Sequence, residues 1–596
     1  MPLSESADPA WWKEATVYQV YPASFADHAA NGHGTLKGIL HRVPYLKELG
    51  VDIVWLSPCY ESPQADMGYD ISNYQKIDPQ YGTLQDWDDI RDACHERGMK
   101  LVMDLVVNHT SDQHEWFKQS RSSRSNPKRD WYIWHTGKIN ENGERIPPNN
   151  WKSSFGAGSA WEWDEITQEF YLHLFLKEQP DLNWENEEVR EAVYGMMKWW
   201  LERGTDGFRM DVINYISKAA GFPDAPITVP GRLYQSFGSL SVNRPKVHDF
   251  LKEMNRRVIS PYDCFCVGEC PGTEAPDLFA SYSKPANKEL QMVFHFHHQG
   301  FDRISRSWGR SWNPDWSLSK MKKIFNTWNV EIPKEGGWNS NYIENHDQSR
   351  IISRLASDHP SNRSKSAKLC CMFHATLTGT IFVYQGQEIG MVNVPVDWDE
   401  REYKDIEAVQ NLQGEREYLE SQGGVMGKNA IKGVLKSLRM TARDNARTPM
   451  QWDDKLNAGF SQATPWMRVH DDFKTWNVKT QMADPNSPWT FWKRMLEIRK
   501  HHPAMVYGEF IPLDPESEKN YSYIRYHSET NQRILVVLNF AKGTDGLGED
   551  ITFDPVTVGV DMTSAKLLIS NGEEKEGSGV QGTMTLSSWE GRVYLL

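Results

Sequence analysis

"DGFRMDV", residues 206–212, decides how the rest of the chain is read. It is a short β-type run. Phe208, Met210 and Val212 fall on one face, Arg209 and Asp211 on the other, because side chains alternate along a strand. Seven runs of the same kind accompany it: "VYQVYP" (17–22), "VDIVWLSP" (51–58), "KLVMDLVV" (100–107), "FCVGE" (265–269), "QMVFHF" (291–296), "NYIENHD" (341–347) and "TIFVYQG" (380–386). Longer helical patterns lie between them, such as "LKGILHRVPYLKELG", "LQDWDDIRDACHERGM" and "NEEVREAVYGMMKWWLERG". The last places Val189, Val193, Met196, Met197 and Trp200 near one helical face. Repeated β-then-α order implies a parallel sheet covered by helices. Eight such units predict an α/β fold closed as a (β/α)8 TIM barrel, ahead of an open doubly wound sheet.

Two gaps interrupt the rhythm. Residues 110–182 are charged and rich in Trp and Gly, and read as a lobe inserted after the third strand. Residues 391–447 form a second, polar insertion after the eighth. Beyond residue 508, alternating runs such as "YSYIRYHS" and "RILVVLNF" predict an antiparallel β-sandwich domain at 508–596. The catalytic barrel is therefore expected in two parts, 1–109 and 183–507, the second carrying the 391–447 subdomain.

At 596 residues the chain is too long for one hydrophobic core. It is 39% hydrophobic and 24% charged, ordinary for a globular protein. No run of about 18 apolar residues predicts a membrane span. The net charge of −14, with no long basic block, argues against nucleic acid and anionic membranes as partners. Seven cysteines are an odd count for a fully bridged secreted protein. Cys264, Cys266 and Cys270 cluster in "DCFCVGEC", but zinc spacing and histidine partners are missing, so they read as small buried residues. Free thiols and the lack of a signal-peptide pattern in "MPLSESADPAWWKEATVYQVYP" predict a cytosolic protein. The 25 tryptophans offer flat faces of the kind that suit sugar rings.

Functional side chains of such a barrel sit at the C-terminal ends of the strands. Here those ends carry Asn108 and His109, Asp211, Glu269, and His346 with Asp347. Three carboxylates from three strands thus converge on one mouth, beside an arginine and two histidines. Gathered carboxylates either ligate a divalent cation or cleave glycosidic bonds as acid and nucleophile. A fixed cation at Arg209 disfavours the metal reading. For glycoside chemistry it keeps Asp211 ionised and nucleophilic.

"DLVVNH" (104–109), "GFRMDV" (207–212), "VGE" (267–269) and "ENHD" (344–347) resemble, in order, the four signature stretches of the α-amylase superfamily of glycoside hydrolases. "QPDLNW" (179–184) and "ARDNARTPMQW" (442–452) are similar to its oligo-1,6-glucosidase and maltase branch. The resemblance covers nearly the whole chain. It implies Asp211 as nucleophile, Glu269 as general acid and base, and Asp347 as holder of the glucosyl 2- and 3-hydroxyls. Retention would place the first two carboxyls about 5–5.5 Å apart, with Glu269 raised in pKa. In "ADMGYD" (65–70), Asp66 would bind the terminal hydroxyls, paired with Arg443, and Tyr69 would stack on the ring. An Asp–Arg pair across the pocket end implies a blind pocket and exo action. His109, Arg209 and His346 would hydrogen-bond the sugar or the acids. Phe155 and Phe175 match aromatic positions near the scissile bond, against a plain reading as lobe core.

The resemblance also bears on metal and linkage. Relatives often carry a calcium loop, D-x-N-x-D-G-x-G-D, where this chain has "DHAANGHGT" (27–35). Ala29, Asn31 and Thr35 replace three ligands, so no calcium is expected there and no cofactor elsewhere. Valine after the nucleophile accompanies α-1,6 cleavage in this branch; alanine or threonine accompanies α-1,4 cleavage. Val212 therefore favours isomaltose-like substrates, with its plain reading as a β-former on a strand the alternative. A maltase or an α-transglucosylase with the same acids is the rival reading. A non-catalytic, membrane-anchored relative and a metal-dependent barrel hydrolase fit poorly. The expected partner is a small oligosaccharide, and the expected state a monomer or weak homo-oligomer.

Overall fold

The computed structural model describes residues 10–156, 158–306, 309–421, 428–544, 546–574, 576–578 and 582–596. Residues 1–9 of the expected barrel, Ala157 in the lobe and 422–427 of the polar insertion lie outside the described residues. Eight parallel strands form the centre: β1 (Thr16–Val20), β2 (Ile53–Leu56), β3 (Lys100–Val106), β4 (Gly207–Asp211), β5 (Phe265–Glu269), β6 (Met292–Phe294), β7 (Ser340–Asn341) and β8 (Thr380–Tyr384). They pair in the order β6-β5-β4-β3-β2-β1-β8-β7. A parallel bridge between Val293 and Asn339 joins the two ends. Ser340 Oγ donates to the Val293 carbonyl at 2.6 Å across the same seam. The ring is a TIM barrel.

Strand alternation sorts two cores. Val17, Ile53, Trp55, Val102, Val267 and Phe294 fill the barrel interior. Their sequence neighbours, such as Tyr18, Val54, Met103, Phe208 and Met210, face the helices outside. Arg209 and Asp211 thus point inward. Register places Arg209 beside Asp104 of β3 and Val267 of β5.

The helices follow their caps. Thr83 and Asp86 form a reciprocal capping box on helix Leu84–His95. Asn186 caps Glu187–Arg203, which Gly204 ends in the left-handed conformation, and its apolar stripe from Val189 to Trp200 is buried. The pattern at 36–50 gives two helices rather than one, Leu36–Leu40 and Val43–Leu49. Pro44 lacks an N–H and belongs in a first turn, where the second helix uses it. The seventh run is also shorter than its sequence suggests. Extended pairing stops at Asn341, and the chain then turns: Asp347 N donates to Asn345 Oδ1 and Gln348 N to the Asn345 carbonyl.

The lobe builds a three-stranded antiparallel sheet from Trp134–His135, Glu169–Leu172 and Trp161–Asp164. Its core also takes Ala225 and Phe237 from the segment after β4, and Gln235 bridges Trp151. The insertion after β8 folds into helices Ile406–Ser421 and Lys428–Thr441. The C-terminal part is a five-stranded antiparallel sheet packed on a two-stranded one. One face, with Leu535 and Val537, meets the two-stranded sheet. The other, with Val536 and Leu538, joins the main core. Among the described residues no helix is long and apolar enough to cross a membrane.

Candidate active site

Arg209 organises the mouth of the barrel. Its Nη1 lies 3.0 Å from Asp104 Oδ1 and 2.8 Å from Asp211 Oδ1, and its Nη2 lies 2.8 Å from Glu269 Oε2. Two carboxylates at the ends of adjacent strands are thereby held on one guanidinium fork, a geometry that matches carboxylate oxygens bidentately. Burial pushes Asp211 up to about 6 against the pull of Arg209, and Asp104 adds to the rise. Desolvation thus outweighs one shared cation. Asp211 is still mostly ionised at neutral pH. Burial pushes Glu269 further, to about 8, with Asp211 and Asp347 adding to it. At pH 7 one carboxyl is mainly charged and the other mainly protonated, the split that acid and nucleophile require.

Val212 is not on the strand. β4 ends at Asp211, and Val212 turns into the left-handed region at φ 33°, ψ 41° before the 3-10 turn Ile213–Tyr215. That corrects its plain reading as a β-former: a β-branched residue is strained there. The turn aims the Val212 N–H at Glu269 Oε2, at 3.2 Å, and sets the side chain on the cavity wall.

The opposite wall carries Asp347. Arg443 Nε lies 2.6 Å and Arg447 Nη2 2.9 Å from its Oδ1. Burial alone would raise this carboxyl, but Arg443 and Arg447 hold it well below the usual range. Asp66 is the looser partner of Arg443, at 3.9 Å. The expected Asp66–Arg443 pair is thus one edge of a network in which Arg443 binds Asp347 first. Gln179 Nε2 donates to Asp66 Oδ2 at 3.0 Å. Asp66 Oδ1, the oxygen facing Arg443, is buried and accepts no hydrogen bond, and burial raises this group to about 7 despite Arg443.

His346 lies beneath Asp347, its Nε2 3.4 Å from Oδ2. Gln19 Nε2 donates to His346 Nδ1 at 2.8 Å. The proton on Nε2 is then given to the Tyr69 hydroxyl at 2.7 Å, which donates to Asp104 Oδ2 at 3.2 Å. The Tyr69 ring stacks on His346 with centroids 5.3 Å apart. Burial lowers His346 well below 6.5 and His109 to about 4, so both are neutral donors and acceptors at pH 7.

These groups enclose a cavity of about 560 Å³. Asp66, Tyr69, His109, Asp211, Val212, Glu269, Asp347 and Arg443 line it, as do Phe155 and Phe175. The two phenylalanines are 5.7 Å apart between ring centroids; Phe175, partly buried, also packs against the lobe core. Arg209 and His346 are supports below the lining. Sequence reasoning assigned nothing to Asp104, Gln179 or Arg447, although each stands inside a quoted signature. It also missed Gln299 after β6, and Glu407 and Gln410 on helix Ile406–Ser421, where no motif marks them.

The loop at 27–35 does not suit a hard cation. Asp27 Oδ1 accepts from Ala30 N at 2.9 Å, and Oδ2 from Gly32 N at 2.9 Å and Ser461 Oγ at 2.6 Å. The carboxylate closes a turn, leaving too few charged oxygens for calcium.

Residues 19–508 match the model of the α-amylase catalytic domain. An oligo-1,6-glucosidase of Parageobacillus thermoglucosidasius is 47% identical over 98% of this chain and 98% of its own. An α-glucosidase of Schizosaccharomyces pombe is 45% identical over 95% of each. Among solved structures, a trehalose-6-phosphate hydrolase of Bacillus licheniformis matches with TM-score 0.87 at 40% identity, over 98% of this chain and 100% of that one. A trehalulose synthase of Pseudomonas mesoacidophila matches with TM-score 0.88 at 36% identity, over 99% and 100%.

Proposed function

Because the chain belongs to the α-amylase family, we propose that it is a retaining, exo-acting α-glucosidase. It releases α-glucose from the non-reducing end of short α-glucosides, with isomaltose-like α-1,6 linkages favoured. The observation that carries this reading is the Arg209 fork, which joins Asp211 and Glu269 while burial raises both and the hydrogen bond between them raises Glu269 and lowers Asp211.

Asp211 attacks the anomeric carbon as the glycosidic bond breaks, and Glu269 gives its proton to the departing oxygen. A β-glucosyl ester on Asp211 results. Water then attacks the same carbon, Glu269 takes its proton, and the ester bond returns its electron pair to Asp211, which releases α-glucose. Asp347, fixed by two arginines, holds the 2- and 3-hydroxyls. Asp66 Oδ1, which accepts no hydrogen bond, receives a terminal hydroxyl, with Arg443 behind it. Side chains carry every proton and electron pair in this scheme, so activity should survive a chelator.

The linkage preference rests on Val212 at the cavity wall and on the relative named for α-1,6 cleavage. The α-glucosidase and trehalulose synthase relatives keep an α-1,4 preference or glucosyl transfer as the second reading. Seven buried free thiols support a cytosolic location. The test is kcat/KM on isomaltose and on maltose, with Asp211→Asn as blank. Preference for isomaltose supports the whole reading. Preference for maltose keeps the catalytic assignment and removes the linkage argument.

A further inference from the structure

The wall of the catalytic cavity beyond Glu269 is built from the loop that follows β6. Phe296, Gln299, Gly300, Arg303 and Ile304 line it. β6 pairs with β5, which carries Glu269, whereas Asp66 and Tyr69 follow β2 on the far side of the ring. A glucosyl unit held at Asp66 and Asp347 therefore sends its leaving sugar towards this loop.

Surface loops are mobile unless something fixes them. Here one buried side chain does so. Arg354 stands on helix Ile351–Leu355, which follows the turn carrying Asp347. Its Nη1 donates to Gln299 Oε1 and its Nη2 to the Gln299 carbonyl, both at 2.8 Å. The same guanidinium grips Asp302, with Nε 3.0 Å from Oδ2 and Nη2 2.5 Å from Oδ1. Neither side chain of this ion pair reaches solvent. Gln299 is held at its other end as well, where Nε2 lies 2.9 Å from His298 Nε2. Behind the loop, Phe301 lies 4.9 Å from the Arg354 guanidinium and packs edge-on against Trp316. Lys542 of the C-terminal part sits over the Trp316 ring. A buried ion pair adds little net stability, because desolvation offsets most of its attraction. What a planar fork does supply is fixed geometry.

We propose that Arg354 is a positioning residue: through Gln299 and Asp302 it locks the loop after β6 into the wall that receives the leaving sugar. This rests on the α-glucosidase reading, in which the leaving group is a sugar. Arg354 itself lies behind the wall. It ties the turn that carries Asp347 to the loop that meets the aglycone, so the two halves of the substrate are set relative to one another.

Two kinds of donor separate the wall from the catalytic centre. One is isomaltose or maltose, whichever the wild type cleaves faster. The other is α-glucosyl fluoride, whose single-atom leaving group does not meet the loop. Arg354→Lys keeps a charge beside Asp302, but one ammonium cannot hold Gln299 and Asp302 together. Its kcat/KM on the disaccharide should fall by roughly tenfold or more, mainly through KM, while that on the fluoride stays within about twofold of wild type. If the lysine variant does not fold, Arg354→Met combined with Asp302→Leu replaces the pair by apolar side chains and should show the same split. Equal losses on both donors overturn the proposal, since Arg354 would then support the whole barrel mouth. Unchanged kcat/KM on the disaccharide overturns it too, as does a double variant that also fails to fold. A wild type that hydrolyses neither disaccharide overturns the α-glucosidase reading, and the role of Arg354 with it.

Discussion

Arg209 Nη2 lies 2.8 Å from Glu269 Oε2, and Nη1 of the same guanidinium lies 2.8 Å from Asp211 Oδ1. One cation shared by both carboxyls cannot make one an acid and the other a nucleophile. The difference comes from what else each one faces. Burial raises both, but the hydrogen bond between them raises Glu269 and lowers Asp211, and the charge of Asp347 raises Glu269 further.

The pH profile should report that difference. Asp211 must be ionised and Glu269 protonated in the free enzyme, with pKa values of about 6 and about 8. kcat/KM on isomaltose should therefore be bell-shaped, rising through the lower value, falling through the higher and peaking at about pH 7. The limbs belong to the coupled pair rather than to either residue alone. In Glu269→Gln the alkaline limb should vanish from what activity remains; a limb that stays at the same pH would remove Glu269 as the acid.

The same raised pKa has a consequence for stability. A carboxyl whose pKa rises on folding binds a proton more tightly in the native state. Its contribution is most favourable below the unfolded value, near 4.5, and is lost as pH rises through about 8. Glu269→Gln removes that dependence. It should raise Tm by on the order of a few degrees at pH 9 and change it less at pH 5. Thermal denaturation at the two pH values decides the matter; an equal shift at both would mean that the gain is not electrostatic.

Arg209→Met should separate the roles of charge and packing. Without the fork, Asp104, Asp211 and Glu269 lose their common partner, so the acid limb should move upward. The rate should fall about 10²–10³-fold, as when a pre-organised electrostatic partner is lost. A rate loss with unmoved limbs would leave Arg209 a purely geometric support.

The barrel was legible because its strands are apolar on both faces, so they stand out as runs, and because a polar residue inside such a run is conspicuous. Arg209 and Asp211 announced themselves in that way. Val212 misled for the same reason. Its composition continues a strand that its backbone has already left. "NYIENHD" misled similarly, since its side chains serve a turn rather than a ladder. The lobe was visible as a composition change. Its completion by Ala225 and Phe237 was not, because that contact depends on where the segment after β4 folds back. Gln410 and Glu407 stand on a helix of ordinary polar composition, and only tertiary packing brings them to the cavity.

Lys218 offers a test of how the lobe is held. Its ammonium lies 2.7 Å from Asp181 Oδ2, 2.8 Å from Asn108 Oδ1 and 2.8 Å from the Tyr215 carbonyl, and the Lys218 and Asp181 side chains are buried. Lys218→Met strands the Asp181 carboxylate and should cost about 3–5 kcal/mol, as for other broken buried pairs. Adding Asp181→Asn removes the uncompensated charge and should return part of that loss. Urea unfolding of the two single variants and the double variant gives the coupling. Additive losses would show that the two groups do not act as a pair.

Val212→Thr tests linkage. Threonine keeps the β-branched shape, so the strained turn and the N–H contact to Glu269 should persist. What changes is one methyl for a hydroxyl on the wall that a leaving sugar passes. Such a change is worth ~1–3 kcal/mol in discrimination. The ratio of kcat/KM on isomaltose to that on maltose should fall by roughly ten-fold or more, mainly through loss on isomaltose. The pH limbs should not move, because the catalytic carboxyls keep their neighbours. If the limbs shift while the ratio stays constant, the residue acts through the Glu269 contact rather than through the aglycone. The linkage preference would then have to be sought among Gln299, Glu407 and Gln410.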